Sequence, residues 1–361
     1  MITVEGRPSA LGTKEICYHK ETTTTIKQQE ASVKTLIKQL VETWGPSGRE
    51  DAVRMLVQAE IEDQVDSMTI SPMGGLQAIV NPGGGTKLML AAHMDEIGII
   101  ISHIDKDGFT RFHTLGGVNL ETCVGHRVRF EDGTMAVIGV EQRSERTKPP
   151  RLEDLYLDFG VSSAQDCPVK VGDMGAFDRS FLALGDRLVA KSLDDRIGVA
   201  ILIEVLRRVP RPRHEVQFAF TVQEEVGLRG AGPAAFGLDP DLAIAVDVTS
   251  TGDTPRGIKM AVALGAGPAI KVRDKRMISD PRIVDLLSNR AEEAGIPHQF
   301  EVLQRGSTDA AAIQLTRAGV PAGCLSIPCR YIHTPSEMVD LTDVENSILL
   351  LVEILTNSIK L

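Results

Sequence analysis

Aromatic side chains are scarce in this chain. They make up 4% of it, and Trp44 is the single tryptophan. A sugar-cleaving site needs a carboxylate pair and aromatic platforms for the rings, so this scarcity weighs against an endoglucanase. Cysteine is sparse too. Cys17, Cys123, Cys167, Cys324 and Cys329 are scattered, and none falls in a CxxC pair. They offer neither a disulfide framework nor a thiolate zinc site, so a reducing cytoplasm is the expected home. No apolar run reaches the ~18 residues that span a bilayer. Positive charge is in deficit: 39 Lys and Arg against 49 Asp and Glu leave a formal net charge of -10. That balance argues against nucleic acid or an anionic membrane as a partner. Residues 1–30 are polar, with threonines at Thr22 to Thr25, and lack the apolar core of a signal peptide. They read as a flexible extension that adds nothing to a core.

What is present is an ordinary globular balance, 42% hydrophobic and 24% charged over 361 residues, a length that suggests two domains. The most informative stretch runs from His214 to Ala231. Val216, Phe218, Phe220 and Val222 alternate with Gln217, Ala219 and Thr221, which is a strand period. Glu224 and Glu225 follow, then a turn at Gly227. Two adjacent carboxylates are costly to keep ionised unless they share a cation. A metal ligand beside a general base would explain the pair. Taken alone, so would a solvated acidic turn.

Elsewhere the spacing predicts helices over 32–44 and 50–63, then an apolar strand from Lys87 that ends in His93, Asp95 and Glu96. From 97 to 181 short alternating strands broken by Gly, Asp and Pro indicate a small β-rich module inserted into an α/β domain. That domain then comprises 31–96 and 182–361. Asp194 and Asp195 open a helix, where acids also serve as caps. A buried strand ends in Asp247, an amphipathic helix covers 279–295, a strand after Pro321 leads to a loop holding His333, and a helix closes the chain from Leu341.

His93, Asp194, Glu225, Asp247 and His333 thus sit at the carboxyl ends of predicted strands or at the start of the following helix. In open α/β sheets that edge binds ligands. Two imidazoles and three carboxylates suit zinc, cobalt or manganese rather than a soft thiolate metal. Five ligands are too many for one catalytic zinc with an open position. They suffice for two ions if one carboxylate bridges, and such a pair can activate a water between them.

The stretches Ala92-HMDEIG, Lys191-SLDDRIG, Thr221-VQEEVGLRGA, Val246-DVT and Ile327-PCRYIHTPSEMV resemble the signature blocks of the tetrahedral (TET) aminopeptidases, a co-catalytic metallopeptidase family. The resemblance implies a zinc-exopeptidase-like α/β/α sandwich with an inserted PDZ-like, β-barrel-like dimerisation domain. It implies that His93 and Asp247 hold one ion, that Glu225 and His333 hold the other, and that Asp194 bridges. Glu224 becomes the general base and Asp95 the orienter of His93. A cis peptide between Asp194 and Asp195 is implied as well. So are dimers assembling into a hollow tetrahedral dodecamer, with His126 close to a neighbouring subunit's site. Cys329 departs from the usual small hydroxyl-type residue of its block and is not expected to be a ligand.

The expected activity is hydrolysis of the N-terminal residue of peptides. A metal-bridging hydroxide would attack, with Glu224 moving the proton. The expected cofactors are two divalent ions per subunit, zinc or cobalt ahead of manganese. Three readings compete. A carboxypeptidase or aminoacylase on a related scaffold would need an Arg clamp, for which Arg330 is the residue to watch. An endoglucanase would leave the histidines unused. A non-catalytic binding module would have lost a ligand or the base, and all six positions are filled.

Overall fold

The computed structural model describes residues 30–142 and 148–359. The extension expected over 1–30 therefore falls outside the described residues, except for Glu30. No helix among the described residues is long and apolar enough to cross a membrane.

The strands in chain order are β1 (Ser67–Ile70), β2 (Leu76–Val80), β3 (Lys87–His93), β4 (Gly98–Ile104), β5 (Thr110–Leu115), β6 (Arg127–Phe130), β7 (Met135–Val140), β8 (Leu155–Asp158) and β9 (Met174–Phe177). They continue with β10 (Leu182–Leu184), β11 (Arg187–Ala190), β12 (Glu215–Thr221), β13 (Leu242–Thr249), β14 (Ala269–Arg273), β15 (Gln299–Val302), β16 (Ala322–Arg330) and β17 (Glu337–Asp340). The helices are α1 (30–42), α2 (Asp51–Ile61), α3 (Leu120–Cys123), α4 (Leu193–Arg208), α5 (Ala231–Leu238), α6 (Pro281–Ala294), α7 (Asp309–Gln314) and α8 (Leu341–Thr356).

An 11-stranded sheet runs β1-β2-β12-β3-β13-β16-β17-β11-β10, with β14 and β15 branching from β16. Its centre is parallel: β3 pairs β12 and β13, and β13 pairs β16. Parallel neighbours need crossover connections, which place helices on both faces. The alternation along β3 displays the two layers. Leu88, Leu90 and Ala92 join the larger core beneath α1, α2, α4, α6 and α8, while Met89 and Ala91 join a smaller, alanine-rich core with α5 and α7. β3 reads as a nearly continuous apolar run because neither face meets water, whereas β12 buries Gln217 as well.

α6 illustrates how the sequence marks its ends. Asp280 caps it by accepting from the Arg282 backbone N–H, Pro281 occupies the first turn, and Gly295 closes it at φ 66°.

β4 to β9 close a six-stranded barrel in the order β4-β5-β8-β7-β6-β9. It has its own core, including Ile99, Ile101, Phe112, Val128, Ile138 and Leu157. Trp44 joins the barrel to the sandwich by donating its indole N–H to the Arg129 carbonyl at 2.9 Å. Arg129 in turn donates to the Glu42 carbonyl at the end of α1 at 2.9 Å.

β14, β15 and β17 are additions to what the sequence pattern predicted. Each is only four or five residues long, and Lys271 and Glu301 are buried inside the first two. They form an ion pair of 2.6 Å, which replaces the apolar alternation that marks a strand.

Candidate metal centre

β3, β12 and β13 end on the same side of the sheet, and the polar residues at or after their ends converge there. His93 is the last residue of β3, Glu224 and Glu225 lie in the turn after β12, and Asp247 lies near the end of β13. His333 stands in the loop between β16 and β17. Asp194 sits at the start of α4, where the backbone at Asp194 and Asp195 is not helical and the peptide between them is cis.

Donor atoms of His93, Asp194 and Asp247 lie within 4.8 Å of one another, as do those of Asp194, Glu225 and His333. Asp194 is common to both groups. Its Oδ1 is 3.0 Å from His93 Nε2 and its Oδ2 is 3.3 Å from His333 Nε2. His333 Nε2 is also 3.2 Å from Glu225 Oε2. Glu224 belongs to neither group, and its Oε2 is 3.9 Å from His93 Nε2.

The electrostatics favour divalent cations here. Asp194, Asp195, Glu224, Glu225, Asp247, Asp309 and Glu337 crowd around two imidazoles. Burial raises the carboxyls of Asp195 and Asp247 well above the usual range, and their carboxylate neighbours add to it. Glu224 is raised well above its range by burial, which the nearby His93 only partly offsets. Asp194 goes the other way: burial would raise it, but hydrogen bonds to His333 and His93 hold it low. Burial would lower the imidazoles, yet the charge of Glu225 and the hydrogen bond to Asp194 push His333 up to about 12. His93 is likewise held well above 6.5 against burial by Asp194 and Asp95. Glu225 Oε1 is buried without a hydrogen-bond partner. Surplus buried negative charge, an orphaned carboxylate oxygen and an all N/O donor set fit divalent ions.

The surrounding shell is built from carboxylates that hold backbone. Asp95 accepts from Ser47 Oγ at 2.6 Å and from the N–H groups of Glu224 at 2.9 Å and Glu225 at 3.2 Å. It lies 3.4 Å from His93 Nδ1, whose nearer partner is the Asp95 carbonyl at 3.1 Å. Asp195 accepts from the backbone N–H of His93 at 3.2 Å and of Gly198 at 3.1 Å. The capping role weighed for the aspartate pair thus falls to Asp195, while Asp194 faces the histidines.

The sequence pattern passed over Glu337 and Asp309. Glu337 accepts from the Asp194 N–H at 2.9 Å and from the His333 N–H at 2.8 Å. It stands four residues after His333, a spacing that carried a signal. Asp309 is buried beside Thr221, with which it hydrogen-bonds. Burial raises its carboxyl to about 6.

Two other expectations meet the geometry. Arg330 is engaged with Asp253, donating from Nε at 3.0 Å and Nη2 at 2.6 Å, so it is no free carboxylate clamp. Cys329 is buried and belongs to neither donor group, and burial with the Glu337 charge keeps its thiol protonated. The barrel also touches the site. A Cβ at Gly117 would lie 2.5 Å from His333 Nδ1, and one at Gly116 would lie 2.9 Å from Glu225 Oε2.

An α/β/α sandwich with an inserted barrel and paired N/O donor clusters at its strand ends defines the class of the metal-dependent exopeptidases. The sequence pattern of the M42 glutamyl aminopeptidases matches residues 74–350, and the chain belongs to this family of tetrahedral aminopeptidases. It is therefore a hydrolase of peptide bonds. The chain is 42% identical over 327 residues to a putative aminopeptidase of Acetivibrio thermocellus, covering 90% of this chain and 99% of that protein. Among solved structures it resembles an aminopeptidase from the archaeon Desulfurococcus kamchatkensis, with a TM-score of 0.88 and 40% identity over 92% of this chain and 96% of that one. It also resembles the Pyrococcus horikoshii TET1 peptidase, described as able to assemble into a tetrahedron or a large octahedral shell. There the TM-score is 0.81 and identity 31%, over 90% of this chain and 100% of the other.

Proposed function

We propose that the chain is a di-metal aminopeptidase that removes N-terminal residues from peptides. His93 and Asp247 would hold one ion, Glu225 and His333 the other, and Asp194 both. Zinc or cobalt suits this donor set ahead of manganese. When bound, the ions supply Lewis acidity toward a water and the scissile carbonyl.

Glu224 is the proton carrier in this reading. It takes a proton from the attacking water and returns it to the leaving amine. The supporting observation is its position: 3.9 Å from His93 Nε2, adjacent in sequence to Glu225, yet outside both donor groups. Asp95 positions it by holding its backbone N–H at 2.9 Å. The substrate's α-amine is anchored by the carboxylates of the same cavity, which makes cleavage N-terminal. The carboxypeptidase alternative loses its support once Arg330 is paired with Asp253.

The α/β parts, 31–96 and 182–361, carry the chemistry, and 97–181 serves dimerisation. The assembly is a cytoplasmic homo-oligomer, dimers building a tetrahedral dodecamer; in support, the Pyrococcus horikoshii relative is described as able to assemble into a tetrahedron or a large octahedral shell. The test of the chemistry is Glu224→Gln. Metal content measured by elemental analysis should stay, while hydrolysis of aminoacyl anilides drops by about 10²–10⁴-fold. Near-normal turnover would remove Glu224 from the role.

A further inference from the structure

Glu224 and Glu225 are neighbours in sequence, yet only Glu225 enters a donor group. What separates two adjacent side chains is the backbone that carries them. On its carbonyl side this turn is closed from within. The Val222 carbonyl accepts from the Gly230 N–H at 3.0 Å, that of Gln223 from Arg229 at 3.2 Å, and that of Glu224 from Gly227 and Leu228 at 2.8 Å each. On its N–H side the partners are carboxylates from elsewhere in the chain. Asp95 holds Glu224 at 2.9 Å and Glu225 at 3.2 Å. Glu50 Oε1 holds Gln223 at 3.1 Å, from 173 residues away.

Gln223 is where the turn bends. Its φ is 56°, in the left-handed region that a residue with a Cβ keeps only when its surroundings hold it there. Two backbone partners hold it: the Arg229 N–H from inside the turn and Glu50 from outside.

Glu50 serves this turn and not its own helix. It directly precedes α2, where an acid ordinarily caps the first turn, yet its side chain makes no capping bond there. It is 5% exposed, and the same Oε1 also accepts from the Gly48 N–H at 2.7 Å. The segment that carries it is anchored in turn. The Gly45 N–H donates to Glu96 Oε1 at 3.0 Å, the Ser47 N–H to the Glu96 carbonyl at 3.3 Å, and Arg196 Nη2 to the Gly45 carbonyl at 3.1 Å. Glu50 therefore reaches Gln223 from a fixed base.

We propose that Glu50 is a positioning residue for Glu224: by holding the Gln223 N–H it fixes the left-handed bend, and so aims the Glu224 carboxylate apart from that of Glu225. This rests on the reading of Glu224 as proton carrier and adds the group that places it. Both bonds end on one oxygen of Glu50, so the role needs an acceptor and no charge. Glutamine can fill it and alanine cannot.

Glu50→Ala should lower kcat for aminoacyl anilides on metal-loaded enzyme by about tenfold to 10²-fold, the scale of a displacement of up to 1 Å at a reacting centre. KM and metal content should stay. Glu50→Gln should keep its kcat. A merely structural role would lower stability and leave the kcat of each metal-loaded subunit alone. Because Glu50 acts through Glu224, Glu50→Ala added to Glu224→Gln should reduce the residual rate no further. Additive losses would show that Glu50 acts elsewhere. Unchanged kcat in Glu50→Ala, beside a disabled Glu224→Gln, would remove Glu50 and leave the proton carrier in place.

A second measurement does not depend on turnover. In a crystal structure of Glu50→Ala, Gln223 should leave its left-handed φ and the Glu224 carboxylate should shift relative to Glu225, while both stay in Glu50→Gln. An unmoved turn in Glu50→Ala overturns the proposal whatever the rates. A turn that moves as expected, with near-normal turnover in Glu224→Gln, counts against the proton-carrier reading alone.

Discussion

Along β12 every residue from Glu215 to Thr221 is buried, whereas along β7 Ala136 and Ile138 are buried and Met135 and Val137 are exposed. The sheet is covered on both faces, so its polar residues reach an opening only where strands end. The barrel strand keeps one face open, and its polar groups find solvent anywhere along their length. Chemistry therefore gathers at one rim of the sheet and has no reason to gather on the barrel. What the barrel gives the site is backbone, in the form of Gly116 and Gly117 against Glu225 and His333.

The largest expected effect breaks the rule that the sheet interior is apolar. Lys271 and Glu301 lie wholly inside it, 2.6 Å apart, with Thr249 Oγ1 donating to Glu301 at 2.6 Å. Lys271→Met strands a buried carboxylate and should cost about 3–5 kcal/mol in chemical denaturation. Lys271→Met/Glu301→Leu should recover most of that loss. If the single and double variants lose equal stability, the pair is not what holds this part of the sheet.

A slightly smaller effect concerns Glu50, just before α2. It accepts from the N–H groups of Gly48 at 2.7 Å and Gln223 at 3.1 Å. Burial raises its carboxyl from 4.5 to about 7. The folded state then holds this proton more tightly than the unfolded chain does. Its contribution to stability is complete below pH 4.5 and is lost as pH rises through about 7. The loss across that window is about 3 kcal/mol. Glu50→Gln, denatured with metals chelated, should flatten that slope, and an unchanged slope would remove Glu50 as its source.

These two groups also mark where the sequence was legible. The apolar runs of β3 and β13 were plain because both faces are covered, β12 was plain by its alternation, and β3, β12, β13 and β16 each lead to a polar residue that joins the centre. β14 and β15 were hidden because their charges are matched only across space. The pairing of Arg330 with Asp253, 77 residues away, was hidden for the same reason. Gly117 carried no chemical signal, since a wall made of missing atoms looks like any turn.

The Gly117 wall gives the third test, which asks whether the barrel matters to the site at all. Gly117→Ala places a methyl 2.5 Å from His333 Nδ1 and must move one of them. A displacement near 1 Å at a reacting centre costs about 10²-fold in rate. Anilide hydrolysis should fall by about that much, with the melting temperature little changed. Full activity in Gly117→Ala would reduce the barrel to a spectator of the chemistry.

The smallest effect sharpens the comparison from the other side, at β17, a short strand paired between β16 and β11. Glu337 ties the start of α4 to the loop before β17: its Oε2 takes the Asp194 N–H and its Oε1 takes the His333 N–H. A glutamine of the same size has one acceptor oxygen, and its NH₂ would face a second donor. One N–H must then lose its partner inside a buried site, so either Asp194 or His333 drifts. Partners of this kind are worth about 10–100-fold in metal affinity. Glu337→Gln should therefore weaken binding in a chelator competition by at least about tenfold. Glu337→Asp, which keeps two oxygens but is shorter, should lose less. At saturating metal the Gln variant should regain most of its kcat, because no reacting atom is touched. If metal affinity is unchanged while kcat falls, Glu337 acts on the reaction and not on the ligands, and the rim is organised differently from this account.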